Sequence, residues 1–290
     1  MICCSVQATV SAKNAPITST LNIAATNQNS KGNGYVWDNL NCILTLTDCE
    51  INTEDDYGLK LPANSVVELN GNNIIKASVT GIHCLSSVTF SGSGTLTVIA
   101  GNAGIICAST SVKDTVRFRS GKLSISSDNY GIYSENAILS FTGAEVSIHA
   151  AGYSVYGNDL QFVSGTLDMT SSVNAKGKAE FSGANVTVTS DSAAVTAVRG
   201  ISISGCNVSV GSSPEALSAA ESYNGESCLK LVSTVKNVKT SKLFGENIPA
   251  FVDYIVVILL VLLIAAVIIV PVYIKARKTK RLASQSERKK

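Results

Sequence analysis

The segment Phe90-Ser-Gly-Ser-Gly-Thr-Leu-Thr-Val98 returns in recognisable copies at nearly constant spacing through more than half of the chain, and this recurrence constrains the fold more tightly than any single motif. Anchored on the first large apolar residue, the copies begin at Leu46, Leu69, Phe90, Phe118, Phe141, Phe162, Phe181 and Ile203, at intervals of 23, 21, 28, 23, 21, 19 and 22 residues. A sustained period of this length marks a solenoid, in which one repeat cannot bury its apolar face alone and stacking buries a continuous column. The position two residues before each anchor is apolar, from Leu44, Val67 and Val88 to Ile201. So is the position five residues after it: Ile51, Ile74, Leu123, Val146, Leu167, Val186 and Val208, with Leu96 one residue later in the Phe90 copy. Polar and apolar residues alternate between these points, so each copy reads as two short strands joined by a glycine-containing corner.

A third segment completes the turn. Tyr57-Gly-Leu-Lys-Leu61, Gly81-Ile-His-Cys84, Gly104-Ile-Ile-Cys107 and Tyr130-Gly-Ile-Tyr-Ser134 are versions of one strand, echoed by Tyr153-Ser-Val-Tyr156 and Ala194-Val-Thr-Ala197. Three strands and three corners per repeat describe a parallel β-helix; a leucine-rich horseshoe of similar period needs a Leu-x-x-Leu-x-Leu-x-x-Asn frame that is absent. The expectation is an all-β, single-stranded, right-handed parallel β-helix solenoid of about eight coils over Tyr35 to Gly211, with Phe90, Phe118, Phe141, Phe162 and Phe181 stacked inward. A chain that is 45% hydrophobic but only 6% aromatic and 15% charged, with 22 glycines against 5 prolines, suits coils of small and β-branched residues turned by glycine.

The flanks are of different character. Met1 to Ala12 ends in the small-x-small pattern Val10-Ser-Ala12 but lacks a basic start, and reads as a signal-peptide remnant, with an ordinary N-terminus as the alternative. Residues 13–34 are polar and aperiodic, as a lead-in or cap over the first coil would be, and Trp37 is placed to close the bottom of the core. The pattern breaks at Ser212-Ser-Pro214, and residues 212–252 read as a C-terminal cap and stalk. Tyr254 to Ile274 then runs for 21 residues without a charge, as a transmembrane helix does, so 253–274 is expected to cross a membrane once. The tail Lys275 to Lys290 carries eight basic residues and one acidic, net +7, whereas residues 1–253 carry 15 basic and 20 acidic, net −5. The positive-inside rule keeps that tail cytoplasmic and puts the repeat domain outside the cell membrane.

The run from Trp37-Asp38 through Ile43-Leu-Thr-Leu-Thr-Asp-Cys-Glu-Ile-Asn-Thr53 and Asp55-Asp-Tyr-Gly-Leu-Lys-Leu-Pro62 to Val67-Glu-Leu-Asn-Gly-Asn-Asn-Ile-Ile75 resembles the opening of cell-surface parallel β-helix proteins of anaerobic Gram-positive gut bacteria, of the carbohydrate-binding domain-containing type. The likeness spans roughly Gly34 to Gly211. It implies the fold and a sugar-binding role; its motifs are structural rungs, so no sugar-binding residue carries across.

Few residues point to chemistry. His83 and His149 fall on different faces, which argues against a His or Cys-His metal site, and no metal or cofactor is expected. Polysaccharide-cleaving β-helices need carboxylates clustered on one strand face. Asp159, Asp168, Glu145 and Glu180 fall in different columns or on separate rungs, and Asp55-Asp56 sits in a turn, so no catalytic residue is nominated and the protein is not expected to be an enzyme. Cys84 and Cys107 occupy one inward column in successive rungs, within the reach of a disulfide, although a buried free-thiol ladder is the preferred reading. Two outward columns, Asn52, Ile75, Thr97, Ser124, Ser147, Asp168, Thr187, Ser209 and Glu50, Asn73, Thr95, Lys122, Glu145, Thr166, Asn185, Asn207, form a hydroxyl- and amide-rich sheet. Tyr133 and Tyr156, outward in adjacent rungs, are the ligand-binding candidates, as a platform for sugar stacking. The leading reading is a membrane-anchored, non-catalytic adhesin or glycan-binding module. A purely structural envelope stalk and a degenerate polysaccharide-active enzyme are the alternatives. Expected partners are the membrane and glycans or surface proteins, with no nucleic acid.

Overall fold

The computed structural model describes residues 14–204 throughout, and beyond them the strands Asn207–Ser212, Leu217–Ala219, Ser222–Tyr223, Glu226–Ser227 and Leu229–Leu231. The segments read as signal-peptide remnant, membrane span and basic tail lie outside the described residues. Among the described residues no helix is long and apolar enough to cross a membrane.

The fold is a parallel β-solenoid of about seven turns, with almost no helix among the described residues. Seven coils are described in full, at 43–61, 65–84, 88–107, 115–133, 138–157, 160–175 and 178–197, and the strands Gly200–Ser204, Asn207–Ser212 and Leu217–Ala219 continue their registers as an eighth. Each coil contributes a strand to three faces. Among the described residues the first and second faces belong to a continuous 17-stranded sheet and the third, with Leu21–Asn22, to a nine-stranded one. Successive coils pair in parallel, so backbone groups inside the stack are satisfied by the rungs above and below.

The lead-in closes the open end face by face. Ile17 bridges Ile51 on the second face, Leu21–Asn22 pairs with Leu59 and Lys60 on the third, and Tyr35–Asp38 pairs antiparallel with Ile43–Thr47 on the first. The regular parallel coils therefore start at Ile43, and the exposed strand edge that a bare solenoid would leave is covered. Asp55, in the turn before Tyr57, accepts hydrogen bonds from the Thr20 amide at 2.7 Å and its hydroxyl at 3.0 Å, fastening the lead-in to coil 1. Trp37, 1% exposed, stands at the foot of the core.

The inward ladder is present as expected. Phe90, Phe118, Phe141, Phe162 and Phe181 are buried, with consecutive ring centroids 4.9, 5.0, 5.1 and 4.6 Å apart and interplanar angles of 7 to 13°. Below Phe90 the expected register needs correction. The column continues through Val67, Leu44 and Trp37, whereas Leu69 and Leu46 stand beneath Gly92, two residues further on. Coils 1 and 2 carry one more inward side chain on the first face. Coil 3 replaces it with Gly92, at φ +111°, where a Cβ would meet the Leu69 backbone at 2.3 Å. A second correction follows on the next face. Asn73 and Ile75, expected outward, are each 1% exposed, and it is Ile74 that shares the outward column of Thr97. Asn73 sits in the inward column of Leu96, yet it is fully engaged: its amide donates to the Asn70 and Thr95 carbonyls and its oxygen accepts from the Cys49 amide.

The third face owes its Tyr-Gly or Gly-Ile signature to packing. A Cβ on Gly58, Gly81, Gly104 or Gly131 would meet the Cγ of Ile75, Val98, Ile125 or Ile148 at 2.1 to 2.5 Å. β-Branched side chains from the second face thus rest directly on these glycines. Coil 5 carries Ser154 at this position, where the second-face column has changed from Ile148 to unbranched Met169. The last inward column of this face tapers through Leu61, Cys84, Cys107, Ser134, Gly157, Ala175 and Ala197. Cys84 and Cys107 are free, buried thiols, and Cys107 Sγ donates to the Ser86 carbonyl at 3.2 Å. Burial pushes both thiols up, Cys84 well above its ordinary value.

Candidate functional site

Because Gly131 and Ile132 both turn inward, Tyr130 and Tyr133 emerge on the same outward side of one strand. The next coil repeats the arrangement, with Tyr130 paired to Tyr153 and Tyr133 to Tyr156. Four half-buried tyrosines therefore form one cluster on the third face. Tyr133 and Tyr156 are stacked at 5.1 Å and 20°, Tyr130 and Tyr153 at 5.9 Å and 10°, and the two stacks lean against each other, with Tyr130 4.9 Å from Tyr133 at 58° and Tyr153 5.7 Å from Tyr156 at 72°. Sequence reasoning named Tyr133 and Tyr156 but missed Tyr130 and Tyr153. The signal was the i, i+3 spacing of Tyr-Gly-Ile-Tyr and Tyr-Ser-Val-Tyr around two consecutive inward residues, which strict alternation hides.

This geometry changes what the tyrosines can offer. Rings stacked on their neighbours along the axis cover part of each other's faces, so the cluster presents ring edges, tilted faces and hydroxyls, an apolar body with polar tips. The Tyr133 hydroxyl donates to Glu135 Oε2 at 2.9 Å, and Glu135 also pairs with Lys176, two coils further on. Burial, then the hydrogen bond to Glu135, pushes the Tyr133 phenol up to about 12, and burial likewise raises Tyr156. Lys176, followed by the Tyr133 hydroxyl, holds the Glu135 carboxyl below its usual range. The Tyr133 and Tyr156 phenols stay protonated and the Glu135 carboxylate stays charged at neutral pH, as fixed donors and acceptors.

Elsewhere on the third face, Tyr57 and Lys60 repeat the i, i+3 arrangement, with Lys60 Nζ 4.2 Å over the Tyr57 ring and His83 5.3 Å away, edge on. Burial, then the charge of Lys60, lowers the His83 pKa. On the second face a shallow groove of about 550 Å³ runs across coils 3 to 6, lined by Thr95, Thr97, Lys122, Ser124, Glu145 and Asp168 among others. Glu145 there is paired with Lys122 at 2.8 Å. Asp159 pairs with Arg199 at 3.2 Å, and Glu180 lies on the first face between Gln161 and Ser202. Where hydrogen bonds move a carboxyl, at Asp38, Asp55, Asp114 and Glu135, they move it down, the opposite of what a general acid needs. Among the described residues no three His, Cys, Asp or Glu side chains converge as metal ligands.

Residues 50–218, more than half of the 290-residue chain, match the family model described as carbohydrate-binding domain-containing protein. The chain belongs to that family. No curated protein and no solved structure matches it. As a carbohydrate-binding domain-containing protein it is classed by binding rather than by a reaction. The matched span contains all the third-face aromatics and the second-face groove, and it begins inside the first coil, after the lead-in cap and the strand Ile43–Thr47. Among the described residues the third face combines clustered aromatic rings with fixed donors and acceptors.

Proposed function

We propose that this protein is a non-catalytic glycan-binding module, displayed outside the cell on a single membrane-spanning segment at 253–274, and that Tyr130, Tyr133, Tyr153 and Tyr156 form its contact surface. The cluster carries the reading. Four large aromatic side chains are held in register on an outward face, while the core beneath is already filled by Ile132 and Val155. Tyrosine suits sugars because one side chain offers both a C–H-binding ring and a hydroxyl. Glu135 and Lys176 add fixed polar groups at the rim. The anchor rests on the uncharged run and the basic tail.

The test is a glycan array probed with the purified full-length chain and with a Tyr133→Ile, Tyr156→Asn variant. Each replacement is the residue that an adjacent coil carries in the same column, Ile106 and Asn174, so the solenoid should tolerate both. The expected outcome is specific binding that is lost in the double variant and kept in Ser124→Lys, on the second face. Binding that survives the double variant and fails in Ser124→Lys would move the site to the groove.

A further inference from the structure

We infer that the tyrosine cluster is one end of a longer track, and that the ligand is a linear, uncharged, β-1,4-linked polysaccharide lying along the solenoid axis, with a second contact at Tyr57, Lys60 and His83. This rests on the glycan-binding reading above and adds the polymer's geometry and the second contact.

The registers make the track. One outward column runs Lys60, His83, Ile106, Tyr133, Tyr156, Asn174, and in register beside it stand Tyr57, Thr80, Ala103, Tyr130, Tyr153 and Ser172, of which Thr80, Ala103 and Ser172 are buried and the tyrosines reach the surface. The aromatic groups at its two ends share the same two columns, separated by a coil whose members are small Ala103 and half-buried Ile106, so no charged side chain of either column stands between them. From the Tyr57 rung to the Tyr153 rung there are four steps of roughly 4.8 Å, or about 19 Å. An extended, equatorially linked glycan is close to straight, so it can follow a straight column of stacked coils. Helical or branched glycans curve away from a straight column and reach one group only.

Neither end offers a free ionic partner: Lys176 is paired with Glu135 at one, and at the other the Lys60 cation is already held over the Tyr57 ring. Two modest contacts joined by one polymer act as a bivalent ligand, in which the second contact forms at high effective concentration.

The experiment is calorimetric titration of the full-length chain with β-1,4-linked glucose, xylose and mannose oligomers of two to six sugars. In at least one series affinity should rise about tenfold from trimer to hexamer, the increment of one added aromatic contact. Tyr57→Thr with His83→Ile, again residues of the next coil, should erase that gain, and unchanged melting curves establish that the variant folds. Affinity that levels off by the trimer, a gain that persists in this variant, or no binding of any series while the array gives another glycan overturns the track and leaves the tyrosine site standing. Loss of every glycan signal, or its survival in Tyr133→Ile, Tyr156→Asn, overturns both.

Discussion

Phe141 is the residue on which the stack can be tested most severely. It is 0% exposed and lies between Phe118 and Phe162, with centroids at 5.0 and 5.1 Å and planes within 12°. Phe141→Leu keeps most of the apolar volume and removes two ring–ring contacts, each worth about 0.5–1.5 kcal/mol beyond burial, so the expected cost is about 1–3 kcal/mol. Phe181 has one ring neighbour, Phe162 at 4.6 Å, and Ile203 on the other side, so Phe181→Leu should cost roughly half as much. Phe141→Ala adds a cavity and should reach about 3–5 kcal/mol. Phe141→Asp should unfold the domain: it buries an unpaired charge in coil 5, and a solenoid whose coils touch only their neighbours is cut in two there. The assay is chemical denaturation followed by circular dichroism, with double-mutant cycles. Phe118→Leu with Phe141→Leu should show a coupling of about 0.5–1.5 kcal/mol, whereas Phe90→Leu with Phe162→Leu, three coils apart, should add within about 0.5 kcal/mol. Equal costs for Phe141→Leu and Phe181→Leu, or equal coupling in the two cycles, would refute the ladder as a source of stability.

Gly131→Ser should destabilise the domain by about 1–3 kcal/mol, because its Cβ would stand 2.2 Å from Ile148 Cγ2 and 2.5 Å from the Ser154 carbonyl oxygen, and Ile148→Met should recover part of the loss by relieving the first of these; no recovery in melting temperature would disprove the side-chain packing account. Tyr133 should be among the last tyrosines to ionise, at about 12, in a titration of tyrosinate absorbance. A folded-state value above the ordinary one means that its contribution to stability is whole below pH of about 10 and is lost as pH rises through about 12. Glu135→Gln should bring that ionisation down, though not fully to the ordinary value, since burial is the larger cause. Protease added to intact cells should remove the repeat domain and spare the basic tail, and protection of the repeats in cells that export the protein would overturn the proposed topology.

The solenoid was legible because its core obeys two rules that leave marks in the sequence: inward residues alternate, and glycine marks the corners. The register of the first two coils was not, because Leu46 and Leu69 resemble the phenylalanine anchors in character and spacing while occupying the column that ends at Gly92. Only the hydrogen-bonded pairing distinguishes a displaced anchor from a true one. The same slip put Asn73 outside. A buried asparagine with three hydrogen bonds is invisible to a rule that sorts residues by polarity, since its cost is cancelled by partners at Cys49, Asn70 and Thr95 that lie up to 24 residues away.

The candidate site was half legible for a related reason. Alternation predicts one outward tyrosine per third-face strand, and it found Tyr133 and Tyr156. Tyr130 and Tyr153 are outward because the position after them must be small. Ile125 rests on Gly104, and Ile148 rests on Gly131, so two consecutive residues face inward and the chain re-emerges three positions later. A packing requirement inside the coil thus sets the spacing of side chains outside it, and the same device brings Tyr57 beside Lys60 in coil 1. Core and surface are otherwise independent. The buried columns run unbroken through coils whose residues at these two positions are Tyr and Lys, Thr and His, Ala and Ile, or Tyr and Tyr, with the small Thr80 and Ala103 covered by their neighbours. Exchanging an outward pair for that of the next coil should therefore alter binding without altering the fold, and for this reason neighbouring-coil replacements separate recognition from stability more cleanly than alanine would.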